Sequence, residues 1–262
     1  MKIGIIITTF LRDELLFECI NSILKHWNND YYLIVIDQGN PSVKKVELLH
    51  NKEYLTPEKG EYIKTEFDIG PLKARNIAIR RIQELNIPFT LMSADSIIFD
   101  KIYDFNIVTE FLNREEDRFL CSFDLKGRLP WECDMKKTDR FLLDVPKRNP
   151  LNFMGEKFQP IDLARNFFIA KTKLLADSLY DEDRKMCDHE SSFWRWKEKG
   201  YKCFYYKEIQ ALYELFKPSE YLLMRSRISG CKMQMKEKYN LKGWVSYSTE
   251  LQAFWDKWRA LK

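Results

Sequence analysis

Polar side chains that could bind a charged ligand follow four apolar stretches in the first hundred residues. In chain order these side chains are those of Thr8 and Thr9, followed by Phe10, then Asp37, then Asp68 shortly before Gly70, and finally Ser93 with Asp95. Burying an unpaired carboxylate costs several kcal/mol, so such an acid should be paired, bind a metal or lie at a solvent-lined strand end. The spacing therefore predicts one site built from several chain segments.

The apolar stretches themselves predict alternating strands and helices. Residues 3–9 (IGIIITT) and 31–37 (YYLIVID) are β-branched runs typical of buried strands, and between them apolar residues recur at helical spacing. A strand, a helix and a strand in this order form a βαβ unit with parallel strands. The pattern repeats with strands at 61–66 and 88–93. Because open α/β sheets bind ligands beyond the carboxyl ends of their strands, we expect the polar residues to meet at one edge.

The second half of the chain is less regular. Residues 120–165 contain Pro130, Pro146, Pro150 and Pro160 in a mixed charge pattern, which predicts irregular structure or a lid over the site. A strand passing into a helix is predicted at 166–175, a helix at 188–200 and a strand at 201–206. Basic and aromatic helical segments follow from Pro218 onward.

Composition excludes several classes of protein. The 262 residues are 45% apolar, which is ample for a core, and the net charge of +4 is too weak for a dedicated nucleic-acid binder. The six cysteines lie far apart without a CxxC pair, so we expect reduced thiols and no zinc site. No segment resembles a signal peptide or a run of ~20 apolar residues, which predicts a soluble, cytoplasmic protein.

The order of the motifs resembles the nucleotide-sugar glycosyltransferases of the GT-A fold, especially family 2 and the related galactosyl- and N-acetylgalactosaminyltransferases. The similar segments are IIITTFLR, LIVIDQGN, DIGPLKARNIAI, SADS and DHESSFW. The resemblance implies a Rossmann-like α/β fold with an open, mixed, mainly parallel sheet flanked by helices. It also implies a catalytic domain at 1–216, with a nucleotide-binding half at 1–100 and an acceptor-binding half at 101–216, and a helical C-terminal extension at 217–262.

The resemblance further implies transfer of a hexose or N-acetylhexosamine from a UDP-sugar to an acceptor hydroxyl by an inverting reaction. In such enzymes the acid of the second strand reads the nucleobase, so Asp37 would accept the uracil N3–H; alternatively, Asp37 caps the DQGN turn. The helix that starts after Gly70 would offer N–H donors to a phosphate, or Arg75 and Asn76 would make only surface and turn contacts. The implied donor-binding residues are Thr8, Thr9, Phe10, Arg12, Asp37, Asp68, Gly70, Arg75, Asn76, Ser93, Ala94 and Asp95.

A divalent cation, Mn²⁺ or Mg²⁺, is implied by the similarity of SADS to the DxD site of this family. Ser93 replaces the first acid, so Asp95 would be the ligand, unless it only starts a turn with Ser96. In the family that this chain resembles, the second ligand is often a histidine late in the chain, and Glu214 occupies the matching position here. Glu214 is otherwise a plain surface acid.

The late motif implies the general base and part of the acceptor site. Aligning HESSF with the family pattern places Glu190 at the base position, with Asp188 as the alternative base or a simple helix cap. The residues implied in binding the acceptor are Trp131, Arg165, Asn166, His189 and Trp194. Such aromatic residues belong more often to a core, and His189 is alternatively a structural histidine.

Two functions remain open at this level. One is a glycosyltransferase that takes a UDP-sugar donor and a carbohydrate or glycoconjugate acceptor. The other is an inactive module that keeps the fold and binds a nucleotide sugar, an alternative that rests on Ser93 and on the missing late histidine. The C-terminal extension predicts either peripheral contact with a membrane or, at ordinary core spacing, a helix packed on the catalytic domain.

Overall fold

The computed structural model describes residues 1–40, 42–43, 45, 55–187, 189–214, 221–223 and 228–260. The strands are β1 (Ile3–Thr9), β2 (Tyr31–Asp37), β3 (Gly60–Lys64), β4 (Phe89–Ala94), β5 (Ile97–Ile98), β6 (Arg118–Lys126), β7 (Asp134–Lys137), β8 (Phe141–Asp144), β9 (Leu151–Phe153), β10 (Glu156–Ile161), β11 (Phe168–Lys171), β12 (Lys202–Tyr213) and β13 (Val245–Tyr247). The helices are α1 (Asp13–His26), α2 (Pro71–Glu84), α3 (Asn106–Asn113), α4 (Thr172–Ala176), α5 (His189–Glu198), α6 (Ile228–Lys238) and α7 (Thr249–Ala260).

The main sheet has the strand order β3-β2-β1-β4-β11-β6-β12-β10-β9, and β5 pairs with β12. The strands β3, β2, β1 and β4 run parallel to one another. The next strand, β11, is antiparallel to both of its neighbours, β4 and β6. This mixed, mainly parallel sheet flanked by helices confirms the predicted fold class. The first two βαβ units therefore bring the carboxyl ends of β1, β2 and β4 to one edge, as the sequence predicts.

The core lies on both faces of this sheet because its first strands are buried on both sides. Ile5 and Ile7 of β1 pack with residues of α1, whereas Ile6 packs with residues of α2 on the other face. A Cβ at Gly4 would come within 2.4 Å of Cδ1 of Ile82, so β1 can approach α2 closely only because this position lacks a side chain. Such packing holds the strand ends in fixed positions.

Residues 120–165 were predicted to form irregular structure or a lid over the site, and this prediction is wrong because most of the region forms strands. This region contains the greater part of β6 and all of β7 to β10. β6 is buried along most of its length because it lies in the middle of the sheet, between β11 and β12. The short strands β7 to β10 have a mixed burial pattern, and two of them, β8 and β10, pair with strands that are distant in sequence. Local periodicity does not reveal such pairings.

The C-terminal segment packs on the rest of the chain. β13 pairs in parallel with β8 in a second sheet of order β13-β8-β7. Lys238, at the end of α6, donates a hydrogen bond of 2.9 Å to Asp181. No helix in the described part of the chain is both long and apolar enough to cross a membrane. Peripheral contact with a membrane through this segment stays a prediction.

Candidate active site

A cleft of about 1100 Å³ lies at the carboxyl ends of β1, β2 and β4. The residues that line it and were predicted from the sequence are Thr8, Thr9, Phe10, Arg12, Asp68, Arg75, Ala94, Trp131, Arg165, Asn166, His189 and Glu190. The structure therefore brings the predicted donor edge and most of the predicted acceptor residues into one cavity. The predicted residues outside this lining are Asp37, Gly70, Asn76, Ser93, Asp95, Trp194 and Glu214.

Asp95 lies fully buried directly beneath the cleft lining. Its carboxylate accepts hydrogen bonds from Thr9 Oγ1 at 2.9 Å and from Arg12 Nε at 3.1 Å, and a second bond joins it to Arg12 Nη2. Burial raises the pKa of the Asp95 carboxyl, and the charge of Arg12 opposes that increase. In this structure the partner of the Asp95 carboxylate is therefore the guanidinium of Arg12.

Tyr221 adds to this arrangement from the C-terminal side. Its ring centroid lies 4.5 Å from the guanidinium carbon of Arg12, which is a cation–π distance. Both residues line the cleft. Arg12 therefore lies between the carboxylate of Asp95 and the aromatic ring of Tyr221. Its guanidinium supplies a positive charge directly at the DxD-like turn.

Asp37 is also fully buried, and its carboxylate contacts the protein itself. It accepts hydrogen bonds from the backbone N–H of Gly39 at 2.8 Å and from the Tyr62 hydroxyl at 2.6 Å, and Lys45 Nζ lies 3.1 Å away. The bond to Gly39 is the turn cap that formed the alternative to base recognition. The next residue, Gln38, lines the cleft, so recognition of a base by Asp37 itself stays a prediction.

Asp68 and Gly70 form the turn that starts α2. Asp68 lines the cleft at φ +53° and accepts a hydrogen bond from Lys185 Nζ at 2.8 Å. Gly70 has φ +91°, and a Cβ there would come within 2.9 Å of the Lys185 backbone. Glycine is therefore required at this position, because the segment around residue 185 packs directly on the turn.

Arg75 and Asn76 have different surroundings although they are neighbours on α2. Arg75 is 8% exposed, lines the cleft and lies 5.4 Å from the ring centroid of Tyr180. Asn76 is fully buried; its amide donates to the Tyr180 carbonyl at 2.8 Å and to Glu182 at 2.9 Å, and it accepts from the Tyr180 N–H at 2.9 Å. The contacts of Asn76 give it a structural role, because they fix the loop at residue 180 on α2. Ligand binding by Arg75 stays a prediction.

A cation site at the SADS turn has two carboxylates to draw on. The backbone N–H of Glu214 donates to the Ser96 carbonyl at 3.0 Å, so Glu214 lies beside the turn that carries Asp95, and its side chain is exposed. Among the described residues there is no group of three or more His, Cys, Asp or Glu side chains that could hold a metal ion. Mg²⁺ is commonly held by one or two carboxylates together with substrate phosphates, which is the chemistry of Asp95 and Glu214. Both carboxylate oxygens of Asp95 are bonded to Thr9 and Arg12, so a cation at this turn stays a prediction.

The start of α5 places the predicted base in the cleft. Glu190 is 7% exposed and lines the cleft beside His189. The His189 ring nitrogen Nδ1 lies 3.2 Å from the Ala164 carbonyl oxygen, and the ring centroid of Trp131 lies 4.8 Å from that of His189 in an edge-on contact. Asp188, the alternative base, lies outside the described residues.

Two arginines line the cleft near the end of β6, and a buried glutamate, Glu132, lies within electrostatic reach of Arg165. Arg165 lines the cleft next to Arg128, and its side chain donates to the Leu129 carbonyl. Burial lowers the pKa of Arg165; the charge of Glu132 opposes that change, and the like charge of Arg128 adds to it. Burial in turn raises the pKa of Glu132. The guanidinium of Arg128 also lies 4.5 Å from the ring centroid of Tyr213.

The remaining predicted residues occupy separate positions. Asn166 lines the cleft and accepts a hydrogen bond of 3.3 Å from the Tyr180 hydroxyl. Ser93 is fully buried on β4. Trp194 packs against Phe141 at 6.0 Å between ring centroids, on the core side of α5, so its contacts correspond to the core alternative.

Several cleft residues are not among the sequence predictions. They are Gln38, Arg128, Tyr221, Lys232, Trp244, Tyr247, Trp255, Trp258 and Arg259. Gln38 directly follows Asp37 in the DQGN turn, so its position at a strand end could have indicated from the sequence that it lines the cleft. The others follow from the pairing of β13 with β8 and from the end of β6, and no local sequence pattern indicates those contacts.

The comparisons with known proteins identify the family. A model of glycosyl transferase family 2 matches residues 4–171, which is more than half of the chain. The chain belongs to glycosyl transferase family 2. The predicted resemblance is thereby confirmed, and this family 2 chain has the nucleotide-sugar glycosyltransferase framework that the strand-end motifs indicated. No curated protein matches it.

Solved structures resemble this family 2 chain in fold. TarS from S. aureus (residues 1–349) shares 16% identity at a TM-score of 0.54, covering 80% of this chain and 59% of that one. The complex of the same protein with UDP gives a TM-score of 0.54 at 16% identity, covering 88% of this chain and 65% of that one. GalNAc-T7 with UDP, GalNAc and Mn²⁺ gives a TM-score of 0.64 at 12% identity, covering 93% and 55%. The chain thus spans less than two thirds of each of these proteins.

Proposed function

We propose that this chain transfers a hexose or N-acetylhexosamine from a UDP-sugar to a hydroxyl of a carbohydrate or glycoconjugate acceptor. The observation that carries the proposal is that the strand ends around Thr8 and Phe10 share one cleft with Glu190. Membership of family 2 supports a nucleotide-sugar donor. The UDP bound to TarS and to GalNAc-T7 supports uracil as the base.

Glu190 is the proposed general base of an inverting reaction. Of the two described carboxylates that line the cleft, Asp68 lies in the turn before α2, and Glu190 lies at the start of α5 beside His189, where the resemblance to the family puts the base. The acceptor oxygen bonds to the anomeric carbon as the bond from that carbon to the diphosphate oxygen breaks on the opposite face. The acceptor proton moves to the Glu190 carboxylate, and UDP leaves. Arg75 is placed to bind the anionic leaving group.

Asp95 and Glu214 are the proposed holders of Mn²⁺ or Mg²⁺. Such an ion neutralises the charge of the leaving diphosphate. Arg12 now supplies the positive charge at Asp95 and is the group that a bound cation has to replace there. The Mn²⁺ found with GalNAc-T7 supports a divalent ion in proteins of this fold.

A thermal-shift screen tests the donor half of the proposal. UDP, GDP, dTDP and CMP are added to the full chain with and without Mn²⁺. A ligand at 100 times its Kd stabilises the folded state by about 2.7 kcal/mol, and UDP is expected to give the largest shift. Asp95→Ala is expected to remove the Mn²⁺-dependent part of the shift, whereas Asp256→Ala, at a side chain 61% exposed on α7, leaves it unchanged. The absence of a shift with every nucleotide would contradict the proposal.

The alternative is a nucleotide-sugar-binding module without turnover. Its specific support is that Arg12 and Thr9 already occupy both carboxylate oxygens of Asp95, in a turn where Ser93 replaces an acid. Release of UDP from a panel of UDP-sugars with Mn²⁺, measured with and without sugar acceptors, separates the two. A chain that is stabilised by UDP and releases none of it from any donor is the module.

A further inference from the structure

The C-terminal segment lines the same cleft as Glu190 although the predicted site residues all precede position 215. The lining residues beyond that position include Trp244, Tyr247, Gln252, Trp255, Trp258 and Arg259. They belong to β13 and α7 or to the turn before β13. This segment therefore contributes a wall to the cavity in which we place the transfer reaction.

The wall is fixed to the rest of the chain by defined contacts. Tyr247 pairs with Leu143 in the parallel β13–β8 ladder. Ser248 caps α7, since its hydroxyl accepts from the Leu251 N–H at 3.1 Å and donates to Asp144 at 2.5 Å. The indole N–H of Trp255 donates to the Pro130 carbonyl at 3.0 Å. These bonds fix β13, the start of α7 and the indole of Trp255 relative to the rest of the cleft.

Tyr247 has the surroundings of a ligand-binding ring. Its side chain is 46% exposed and lines the cleft, and its ring is supported from behind by Trp255 at 4.8 Å between centroids in an edge-on contact. Burial raises the pKa of the Tyr247 phenol, and the negative charge of Glu190 raises it further, so the two groups lie within electrostatic reach. Tyr247 and the proposed base Glu190 thus line the same cleft.

The chemistry of the wall is that of a sugar site. Trp258 lines the cleft one helical turn after Trp255, and Trp131 lines it beside His189. The polar groups on the same wall are the amide of Gln252 and the guanidinium of Arg259. A pyranose has apolar C–H faces and a rim of hydroxyls, which match flat rings with amide and guanidinium donors between them.

We propose that Tyr247 and Trp258 form the platform on which the acceptor sugar lies, so that the acceptor is a carbohydrate recognised by stacking. This inference rests on the proposed function, because it uses Glu190 as the group that faces the acceptor hydroxyl. It assigns the C-terminal segment to substrate recognition, with Trp255 as the residue that supports the ring of Tyr247.

The test measures binding of the methyl glycosides of glucose, galactose, N-acetylglucosamine and N-acetylgalactosamine to the full chain saturated with UDP, by saturation-transfer-difference NMR. At least one glycoside is expected to bind the unaltered chain. Tyr247→Ala and Trp258→Ala are each expected to weaken that binding about five- to tenfold, the loss of one aromatic contact. Tyr247→Phe, which keeps the ring, restores it.

A matched control comes from the same helix. Phe254 on α7 is 45% exposed and is not among the residues that line the cleft, so Phe254→Ala leaves glycoside binding unchanged. The melting temperature and the UDP-induced shift of each variant are measured in parallel. A Tyr247→Ala chain that keeps its fold and its UDP shift, and loses the glycoside, supports the platform.

Other results separate this inference from the proposed function. If UDP stabilises the chain and both alanine variants bind the glycoside as tightly as the unaltered protein, the platform is wrong and the donor site stands. If no glycoside of the panel binds, the platform is likewise wrong. If UDP gives no shift but a glycoside binds in a Tyr247-dependent way, the proposed donor fails, whereas the sugar platform is retained.

Discussion

The donor edge and the C-terminal wall of the cleft are built in opposite ways. At the donor edge the charged groups Asp37 and Asp95 are fully buried and held by protein partners, such as Arg12 for Asp95. On the wall the rings of Tyr247 and Trp258 line the cavity, and Tyr247 is nearly half exposed. One side thus presents a preorganised electrostatic site, and the other presents surface for contact.

The difference has a physical origin in how each side is assembled. The donor edge follows from parallel strands buried on both faces, which position charges accurately and shield them from water. The wall rests on a three-residue strand and one helix, tied down by a few hydrogen bonds. Accordingly, we expect substitutions at the edge to change stability and electrostatics, and substitutions at the wall to change substrate recognition.

The largest effect is expected at the carboxylate that lies between the two sides. Glu190→Gln should lower the rate of sugar transfer about 10²–10⁴-fold, because the amide cannot accept the acceptor proton. UDP binding, followed by thermal shift, should persist. Glu198→Gln, on an exposed residue at the end of the same helix, is the control. An active Glu190→Gln would move the base to Asp188 or elsewhere.

The donor edge itself is tested through its buried ion pair. Asp95→Asn leaves the guanidinium of Arg12, 10% exposed, without its carboxylate and should cost about 3–5 kcal/mol of unfolding free energy, measured by urea denaturation. In the double variant with Arg12→Met the loss should be smaller than the sum of the two single losses. Additive losses would mean that the two side chains do not interact in solution.

A second charge cluster joins Asp181 to Arg184, to Arg195 and to Lys238 of the C-terminal helix α6. It is less buried than the pair of Asp95 and Arg12, so a smaller effect on stability is expected. Burial raises the pKa of Asp181. The hydrogen bond from Lys238 and the positive charges of Arg195 and Arg184 together lower the pKa by more than burial raises it, so the net change is a decrease. The ionised Asp181 therefore stabilises the fold above its unfolded pKa of about 3.9, and this stabilisation is lost as the pH falls through the lower folded value.

Asp181→Asn should consequently cost about 2 kcal/mol near pH 6, and the difference from the unaltered chain should narrow toward pH 3. Urea unfolding across this pH range measures both quantities. Asp183→Asn, at a side chain 59% exposed, serves as the control and should change little. A difference that stays constant with pH would show that Asp181 titrates normally in the folded protein.

The smallest effect concerns a single hydrogen bond at the donor edge. Thr9→Val removes the hydroxyl that donates to Asp95 at 2.9 Å and should cost about 1.5 kcal/mol, because the acceptor is charged and buried. Thr9→Ser keeps the hydroxyl and should recover most of the stability in the same denaturation experiment. A Thr9→Val chain as stable as the unaltered protein would show that this hydrogen bond does not contribute to stability.

The sequence predicted the donor half of the fold closely, since β1 and β2 have the predicted bounds of residues 3–9 and 31–37. Both strands are buried on two faces and locally periodic, which is the condition under which pattern and structure agree. Within the site, the cleft positions of Phe10, Arg75 and Glu190 follow from strand-end and helix-start signals. The pairing of Asp95 with Arg12 does not, because it joins the turn after β4 to the residue before α1, more than eighty positions earlier in the chain.

The second half of the chain was harder to predict because its pairings are distant. β6 lies beside β12, roughly eighty residues later, and β13 lies beside β8, about a hundred residues earlier. Neither contact leaves a local mark in composition or periodicity. Tyr247 and Trp258 are therefore visible as aromatic residues in the sequence, whereas their place in the cleft depends on the three-dimensional fold.

The parallel pairing of β13 with β8 also has a consequence for synthesis of the chain. The strands β1 to β4, which form the donor edge, have all emerged once residue 94 is made, and domains generally fold from the N-terminal side during translation. β8 gains its parallel neighbour only after Tyr247 has been added. A nascent chain would thus contain all strands of the donor edge well before it could complete the C-terminal wall of the cleft.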